Sequence, residues 1–371
     1  IADFNASQSE VVVKGVSSPD FQKQLTSMSA STPAFDISDN FGDSVGSWAS
    51  KGILAPLDDL LAAEGVDTAD FVPSAMDQMR YDGKTYALPI AIHSLMLVYN
   101  KTLLDEAGLK PPTTIDELAA AALALTKTDD SGNITQLGLG ETMTGHFATN
   151  IVAAFGGSWW DADGQPSPLA DHNVEAMNWY QGLVKQIGAD KISSFAAGYG
   201  QYLSAEDPFF TGKVAMRLDG EWIGISADQV TPDLDWGVTA IPYASPDYEN
   251  ATQVTSSTLF IPANSAHKEA AAKFLAYMMS PEPMTTFTEQ LGNLPGRTEL
   301  LDKADSYARI PHFTEFAQAL KSPNAFSPSS APNAAEYTTD LGRAIESIVH
   351  DTATPEQALQ DLADAAKAYA N

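Results

Sequence analysis

Helical and extended hydrophobic patterns alternate along most of this chain, with Gly and Pro between them, and that alternation restricts the fold more than any other feature. It points to α/β units and away from a β-sandwich or a helix bundle, with a sheet expected to be mostly parallel. Thr114 and Glu117 form a capping box for a helix running to about Lys127, with Ile115, Leu118, Ala122 and Leu125 on one face. A second helix spans Ser265 to Met279, with Ala271, Phe274, Leu275 and Met278 inward and Pro281 as its stop. A last one opens with Thr354 as N-cap, Pro355 at N1 and Gln357 at N3, and repeats Leu359, Leu362, Ala366 and Tyr369. Short apolar strands are read at Ala34 to Ile37, Thr85 to Leu88, Leu95 to Tyr99, Val214 to Leu218, Trp236 to Ile241 and Leu259 to Ile261. Asp82-Gly83, Asp130-Ser131-Gly132 and Asp163-Gly164 mark turns, and Lys321 to Asn333 reads as a surface loop.

A chain of 371 residues predicts two domains or slightly more. Apolar residues make up 44%, enough for a sizeable core. Twenty basic residues stand against 48 acidic ones, a net charge of −28, which repels a nucleic-acid backbone or an anionic membrane surface. There is no cysteine, so disulfides, thiolate metal sites and a cysteine nucleophile are all excluded. The longest clean apolar stretch, Leu118 to Leu125, is far short of the roughly 18 residues a membrane helix needs. The opening Ile1-Ala2-Asp3-Phe4 has neither a basic nor an apolar signal region, so any export signal is expected upstream or removed.

Enzyme chemistry finds little footing. Gly42-Asp43-Ser44-Val45-Gly46 matches the G-x-S-x-G elbow of serine hydrolases, but no oxyanion loop precedes it and the strand before it ends in polar Ser38-Asp39-Asn40. A glycine-rich loop is the plainer reading. His267, His312 and His350 could serve a triad, as scattered histidines could in almost any chain of this size. No histidine pair has helical ligand spacing. Asp161-Ala162-Asp163-Gly164 begins like a calcium loop without the distal Glu, and Gly212-Lys213 lacks the upstream Gly of a phosphate loop. No cofactor is expected. The carboxylate pairs Glu206-Asp207 and Asp219-Glu221 fit glycosidase work only if their separation suits it.

The aromatics say more. Phe41, Trp48, His93, Phe147, Trp159-Trp160, Tyr199, Tyr202, Trp222 and Tyr337 stand beside polar residues at loops and strand ends. Sugar rings have apolar faces that lie on aromatic rings and hydroxyl rims that need polar partners, so this interleaving suits carbohydrate binding.

Several blocks then resemble the extracellular carbohydrate-binding proteins of ABC importers, a group similar to maltose-binding protein. They are Trp48 to Asp58, Tyr81 to Pro89 with Leu97 to Lys101, Phe210 to Met216 with Gly220-Glu221-Trp222, Lys273-Phe274-Leu275, and Asn293 to Arg297. The resemblance covers essentially the whole chain. It implies a two-lobe periplasmic-binding-protein-like α/β fold with a hinge and an interlobe ligand cleft. The first lobe would take 1–92 and 260–310, the second 93–259 and 311–371, with crossovers near 91–95 and 255–260.

It also implies ligand contacts. The loop Asn40-Phe41-Gly42-Asp43 sits where such proteins contact sugar hydroxyls, and His93 and Ser256 fall at the crossovers. Trp222, beside Glu221, matches a position that stacks on a sugar ring. Tyr337 falls near another, Phe147 lies in a lining segment, and Tyr202 and Asn293 complete the candidates, while Trp159-Trp160 reads as structural. The implied function is an extracytoplasmic oligosaccharide receptor, without catalysis, serving a membrane permease. It would be a monomer, and a lipid anchor would attach at an upstream Cys. Family members open with a strand and most of a helix that this chain lacks, so about 20 further residues are expected upstream, since an unpaired internal strand position would expose backbone. A hydrolase using Ser44 or a carboxylate pair, and a polyamine receptor of the same fold, are the alternatives.

Overall fold

The computed structural model describes residues 1–17, 21–31, 34–140 and 144–369. The chain forms two compact units. The first comprises Ile1–His93, Thr255–Tyr307 and Ser327–Ala335, and the second Ser94–Val254, Ala308–Phe326 and Glu336–Asn371. Residues 327–335 thus join the first unit, whereas the sequence reading put everything after 310 in the second. The strands Ala87–Asn100 and Thr252–Phe260 each run from one unit into the other. Ala87–Asn100 is buried along nearly its whole length, which is why it reads as a continuous apolar run without alternation.

In the first unit, Ser38–Phe41 pairs antiparallel with Ser257–Phe260, and Leu294–Pro295 pairs antiparallel with Ala91–Ile92. The expected strand at Ala34 to Ile37 therefore lies four residues later, on a more polar segment. Arg80–Tyr81 and Lys84–Thr85 form a hairpin whose tip holds Asp82 and Gly83 at φ 47° and 73°, the left-handed pair a tight two-residue turn demands. Phe4 sits edge-on to Phe274 and Tyr277 of the helix Lys268–Met278, at 5.1 and 5.2 Å. The Asn293–Arg297 block has a structural purpose. Arg297 donates to the Met279 carbonyl at 2.6 Å and to Asp70 at 2.9 Å, with its guanidinium 4.8 Å over Phe71. Gly296 allows that approach, because a Cβ there would fall 2.1 Å from the Pro89 carbonyl oxygen.

In the second unit, Leu95–Tyr99 pairs antiparallel with the strand Val214–Gly220, and Leu97–Asn100 pairs antiparallel with Trp236–Thr239. Ile134–Leu139 runs parallel to Val214–Gly220, and Ala325–Phe326 runs parallel to Thr252–Gln253. The mostly parallel sheet expected from the sequence is therefore corrected to one dominated by antiparallel pairs. Alternating helix and strand patterns fix which layers form, not strand direction, and Val214–Gly220 returns after a helical excursion running opposite to its partner. Helices Ile115–Leu125, Thr144–Ala154, Asp171–Ile187, Ala334–Val349 and Pro355–Ala366 cover this sheet. Leu118, Leu125, Ile151, Met177, Ile345 and Leu359 share one apolar core.

Two caps follow the sequence reading. The Thr114 side chain accepts from the Glu117 N–H while Glu117 reaches back to Thr114, and Thr354 accepts from the Gln357 N–H. Hydrogen bonds from the Thr113 backbone and hydroxyl and from the Thr114 N–H hold the Glu117 carboxyl below its ordinary value of 4.5. A depressed carboxyl stabilises above its unfolded pKa and loses that contribution as pH falls through the folded one. Chemical denaturation from pH 7 to pH 3 should therefore show a shallower acid loss in Glu117→Gln, which keeps the box but does not titrate. Gly46 has no room for a side chain, since a Cβ would meet the Ser330 carbonyl oxygen at 1.8 Å. Gly46→Ala should cost about 1–3 kcal/mol, seen as an earlier urea transition.

Candidate functional site

The strand Val214–Gly220 is buried at every residue, yet it carries Arg217 and Asp219. Arg217 Nη1 donates to Asp207 Oδ1 at 2.8 Å, and its Nε lies 2.7 Å from Asp219 Oδ2. All three are fully buried. The guanidinium also lies 5.1 and 5.2 Å from the ring centres of Tyr202 and Phe209. Asp207 accepts further from the Leu203 and Phe209 N–H groups, both at 2.8 Å. The first of these holds Leu203 in a left-handed conformation, φ 61°, that its side chain disfavours.

From this charged centre a chain of hydrogen bonds runs outward. Tyr202 Oη donates to Asp219 Oδ1 at 2.7 Å and accepts from Trp222 Nε1 at 2.7 Å. Burial and the adjacent Asp219 charge push the Tyr202 phenol up, so it stays protonated and able to donate. Burial pushes the Asp219 carboxyl up too, against the opposing pull of Arg217 and of the Tyr202 and Gly220 donors. Trp222 sits at the start of the helix Ile223–Val230, its ring over Gly220, where a Cβ would fall 2.1 Å from ring carbons. The G-E-W spacing thus lays an indole across a glycine. The polar edges of Tyr202 and Trp222 are spent on each other and on Asp219, and both rings remain half-buried.

This disposes of the carboxylate pairs. Asp207 and Asp219 neutralise Arg217, Glu206 accepts from Ser204 at the surface, and Glu221 is buried and accepts from the Ser94 N–H at 3.4 Å. Arg217, which centres the arrangement, escapes the sequence reading. Its one trace is a lone basic residue within Val-Ala-Met-Arg-Leu-Asp-Gly.

In the first unit, Asn40 donates to Gln24 and accepts from the Phe41 N–H, while Phe41 is 52% exposed and Asp43 is exposed. Gly42 abuts Gln78 and Ser256, since a Cβ there would fall 2.4 and 2.5 Å from their side-chain oxygens. Ser256 is buried and donates to Gln78 Oε1 at 2.8 Å, and His93 Nε2 lies 3.0 Å from Ser257 Oγ. Ser44 Oγ donates to the Phe41 carbonyl at 2.8 Å, as a turn hydroxyl does. Asn293 follows left-handed Gly292, and its N–H bonds the Thr288 carbonyl to end a helix.

Two candidates are corrected. Phe147 and Tyr337 belong to the apolar core of the second unit, where Phe147 lies 5.0 Å from Tyr180 and Tyr337 lies 4.8 Å from Trp160. At 3% and 0% exposure, these two rings are taken up by core packing. Trp159 is buried beside them and donates to Thr149 at 3.1 Å.

Removing the cation should strand two buried carboxylates. Arg217→Ala is expected to cost about 3–5 kcal/mol in denaturant unfolding at pH 7. Burial already holds the Asp219 carboxyl above its ordinary value and losing Arg217 raises it further, so its stabilising contribution is present in acid and lost as pH rises. The deficit should be smallest near pH 4, and Asp207→Asn with Asp219→Asn and Arg217→Met should restore most of it.

A family model described as bacterial extracellular solute-binding protein matches residues 1–285. The structure of CpMnBP1 with mannotriose bound is similar at a TM-score of 0.81 and 30% identity, over 93% of this chain and 88% of that one. A galactooligosaccharide-binding protein of Bacillus subtilis is 25% identical over 96% of this chain and 83% of its own length. The maltotriose-binding protein of Pyrococcus abyssi is 25% identical over 83% of this chain and 64% of its own. The chain belongs to the bacterial extracellular solute-binding protein family.

Proposed function

We propose that this protein is an extracytoplasmic oligosaccharide receptor that delivers its ligand, as a lipid-anchored monomer, to the permease of an ABC importer. Its relatives are binding proteins for transport rather than enzymes. One observation carries the sugar reading. The indole of Trp222 and the phenol of Tyr202 are held by their polar edges on Asp219 and Arg217. Both rings are half-buried and present carbon surface rather than charge, which suits the apolar face of a pyranose ring better than a charged group. The sugar-bound and sugar-named relatives support the same class. The loop Asn40-Phe41-Gly42-Asp43 of the first unit, with its exposed Asp43 and Phe41, is the proposed source of contacts to sugar hydroxyls. His93, Ser256, Glu221 and Asn293 act in this reading as supports for the elements that bear the contacts.

The polyamine alternative needs carboxylates beside the aromatic pair that are free to meet an ammonium. The nearest one, Asp219, is already matched to Arg217 and Tyr202. The hydrolase alternative needs a base near Ser44, whose hydroxyl is engaged by the Phe41 carbonyl.

Tryptophan fluorescence and calorimetry against di- to hexasaccharides, with spermidine and a generic ester as controls, test the proposal. Saturable binding of one oligosaccharide class with no product formed is expected. Trp222→Ala should weaken it at least about 30-fold, the loss of a stacking hot spot, and Ser44→Ala should leave it unchanged. Turnover of any substrate, or binding of spermidine alone, would overturn the reading.

A further inference from the structure

The helix Pro73–Gln78 of the first unit buries Ala75, Met76 and, unlike either, the polar Gln78. Gln78 is 1% exposed, and a carboxamide taken out of water needs partners for both of its ends. Its Oε1 accepts from Ser256 Oγ at 2.8 Å, and its Nε2 donates to Ser327 Oγ and to the Ser74 carbonyl, both at 3.4 Å. Ser327 Oγ in turn donates to the Ser74 carbonyl. A methionine would fill the same space with no partner to find, so what the glutamine adds is direction.

The loop Asn40-Phe41-Gly42-Asp43 rests on this amide. Gly42 is buried against the Gln78–Ser256 pair, since a Cβ there would fall 2.4 Å from Gln78 Oε1 and 2.5 Å from Ser256 Oγ. On either side of it, Phe41 and Asp43 are exposed. Ser256 belongs to the strand Thr252–Phe260, which pairs with Ser38–Phe41 and whose Thr258 Oγ1 donates to the Asn40 carbonyl at 3.0 Å. Ser327 opens a stretch, 327–333, that belongs to no helix or strand and whose Ser330 carbonyl packs on Gly46. Gln78 therefore joins three parts of the first unit that are far apart in sequence: the loop, the strand and the irregular stretch.

We propose that Gln78 is a positioning residue for ligand binding, too buried to meet a ligand itself, which holds the loop so that Phe41 and Asp43 are in place to meet one. The ligand is the oligosaccharide of the proposed function, and the inference rests on that reading. A loop held in its binding conformation beforehand loses less entropy on binding, and that is the advantage Gln78 supplies.

The test compares the whole protein with Gln78→Met, Ser256→Ala and the double variant. Two measurements are made: calorimetry with the tightest-binding member of the di- to hexasaccharide panel, and hydrogen exchange of residues 38–50 without ligand. Gln78→Met should weaken binding about 3- to 20-fold and speed exchange in 38–50, while exchange in Val214–Gly220 stays unchanged. The double variant should lose no more than the weaker-binding single one, because the two side chains act as one pair. In a folded Gln78→Met protein, unchanged affinity, unchanged exchange in 38–50, or additive losses in the double variant would each overturn the proposal. Should Gln78→Met fail to fold, Ser327→Ala at its half-buried position removes one amide partner and should speed the same exchange, and no change there overturns the proposal. If the wild type binds no oligosaccharide, the sugar reading fails, and exchange in 38–50 alone decides whether Gln78 positions the loop.

Discussion

A guanidinium buried between two carboxylates governs the second unit of this protein. Arg217 could not enter a strand buried on both faces without compensation, because the desolvation cost of an unpaired cation there is several kcal/mol. Asp207 and Asp219 supply the opposite charge, and three aromatic rings enclose the group. Each carboxylate then carries out a second task. Asp207 fixes the turn that holds Leu203 left-handed, and Asp219 fixes Tyr202, which in turn fixes Trp222. A buried ion pair contributes little net stability on its own, so its value here is orientation: the two rings have one arrangement rather than many.

The first unit relies on close backbone approach as well as on the Arg297–Asp70 pair. Gly42 sits against Gln78 and Ser256, Gly46 against the Ser330 carbonyl, and Gly296 against the Pro89 carbonyl. These contacts bring residues far apart in sequence onto a few positions where only glycine fits. The G-x-S-x-G pattern is explained by that packing. Its two glycines accommodate neighbours, and its serine bonds the turn that carries Phe41.

Features governed by local chemistry could be read from the sequence. The capping box at Thr114, the Thr354 cap, the Asp82-Gly83 turn and the apolar faces of the helices depend on residues within one or two turns of each other. Strand direction is set by pairing between distant segments, such as Leu95 with Gly220, and no local pattern encodes it. The first strand was displaced because the apolar residues Ala34 to Ile37 outweigh Ser38–Phe41, whose burial only alternates. Of the candidate site, Trp222 and Tyr202 were legible as aromatics beside polar residues. Phe147 and Tyr337 satisfy the same description but point into the core, because residue type alone does not say which face of a helix packs. Arg217 was hidden by the rule that a charge within an apolar strand faces water.

The proposed role of Trp222 requires its ring to be held in place from behind through Tyr202 and Asp219. The most direct measurement is calorimetric affinity for the oligosaccharide in Tyr202→Phe, which keeps the ring and removes only the hydroxyl joining Trp222 to Asp219. The expected result is an affinity loss of about 5- to 30-fold with a more unfavourable binding entropy, as the indole loses its fixed orientation. Unchanged affinity and entropy in a folded Tyr202→Phe protein would contradict it.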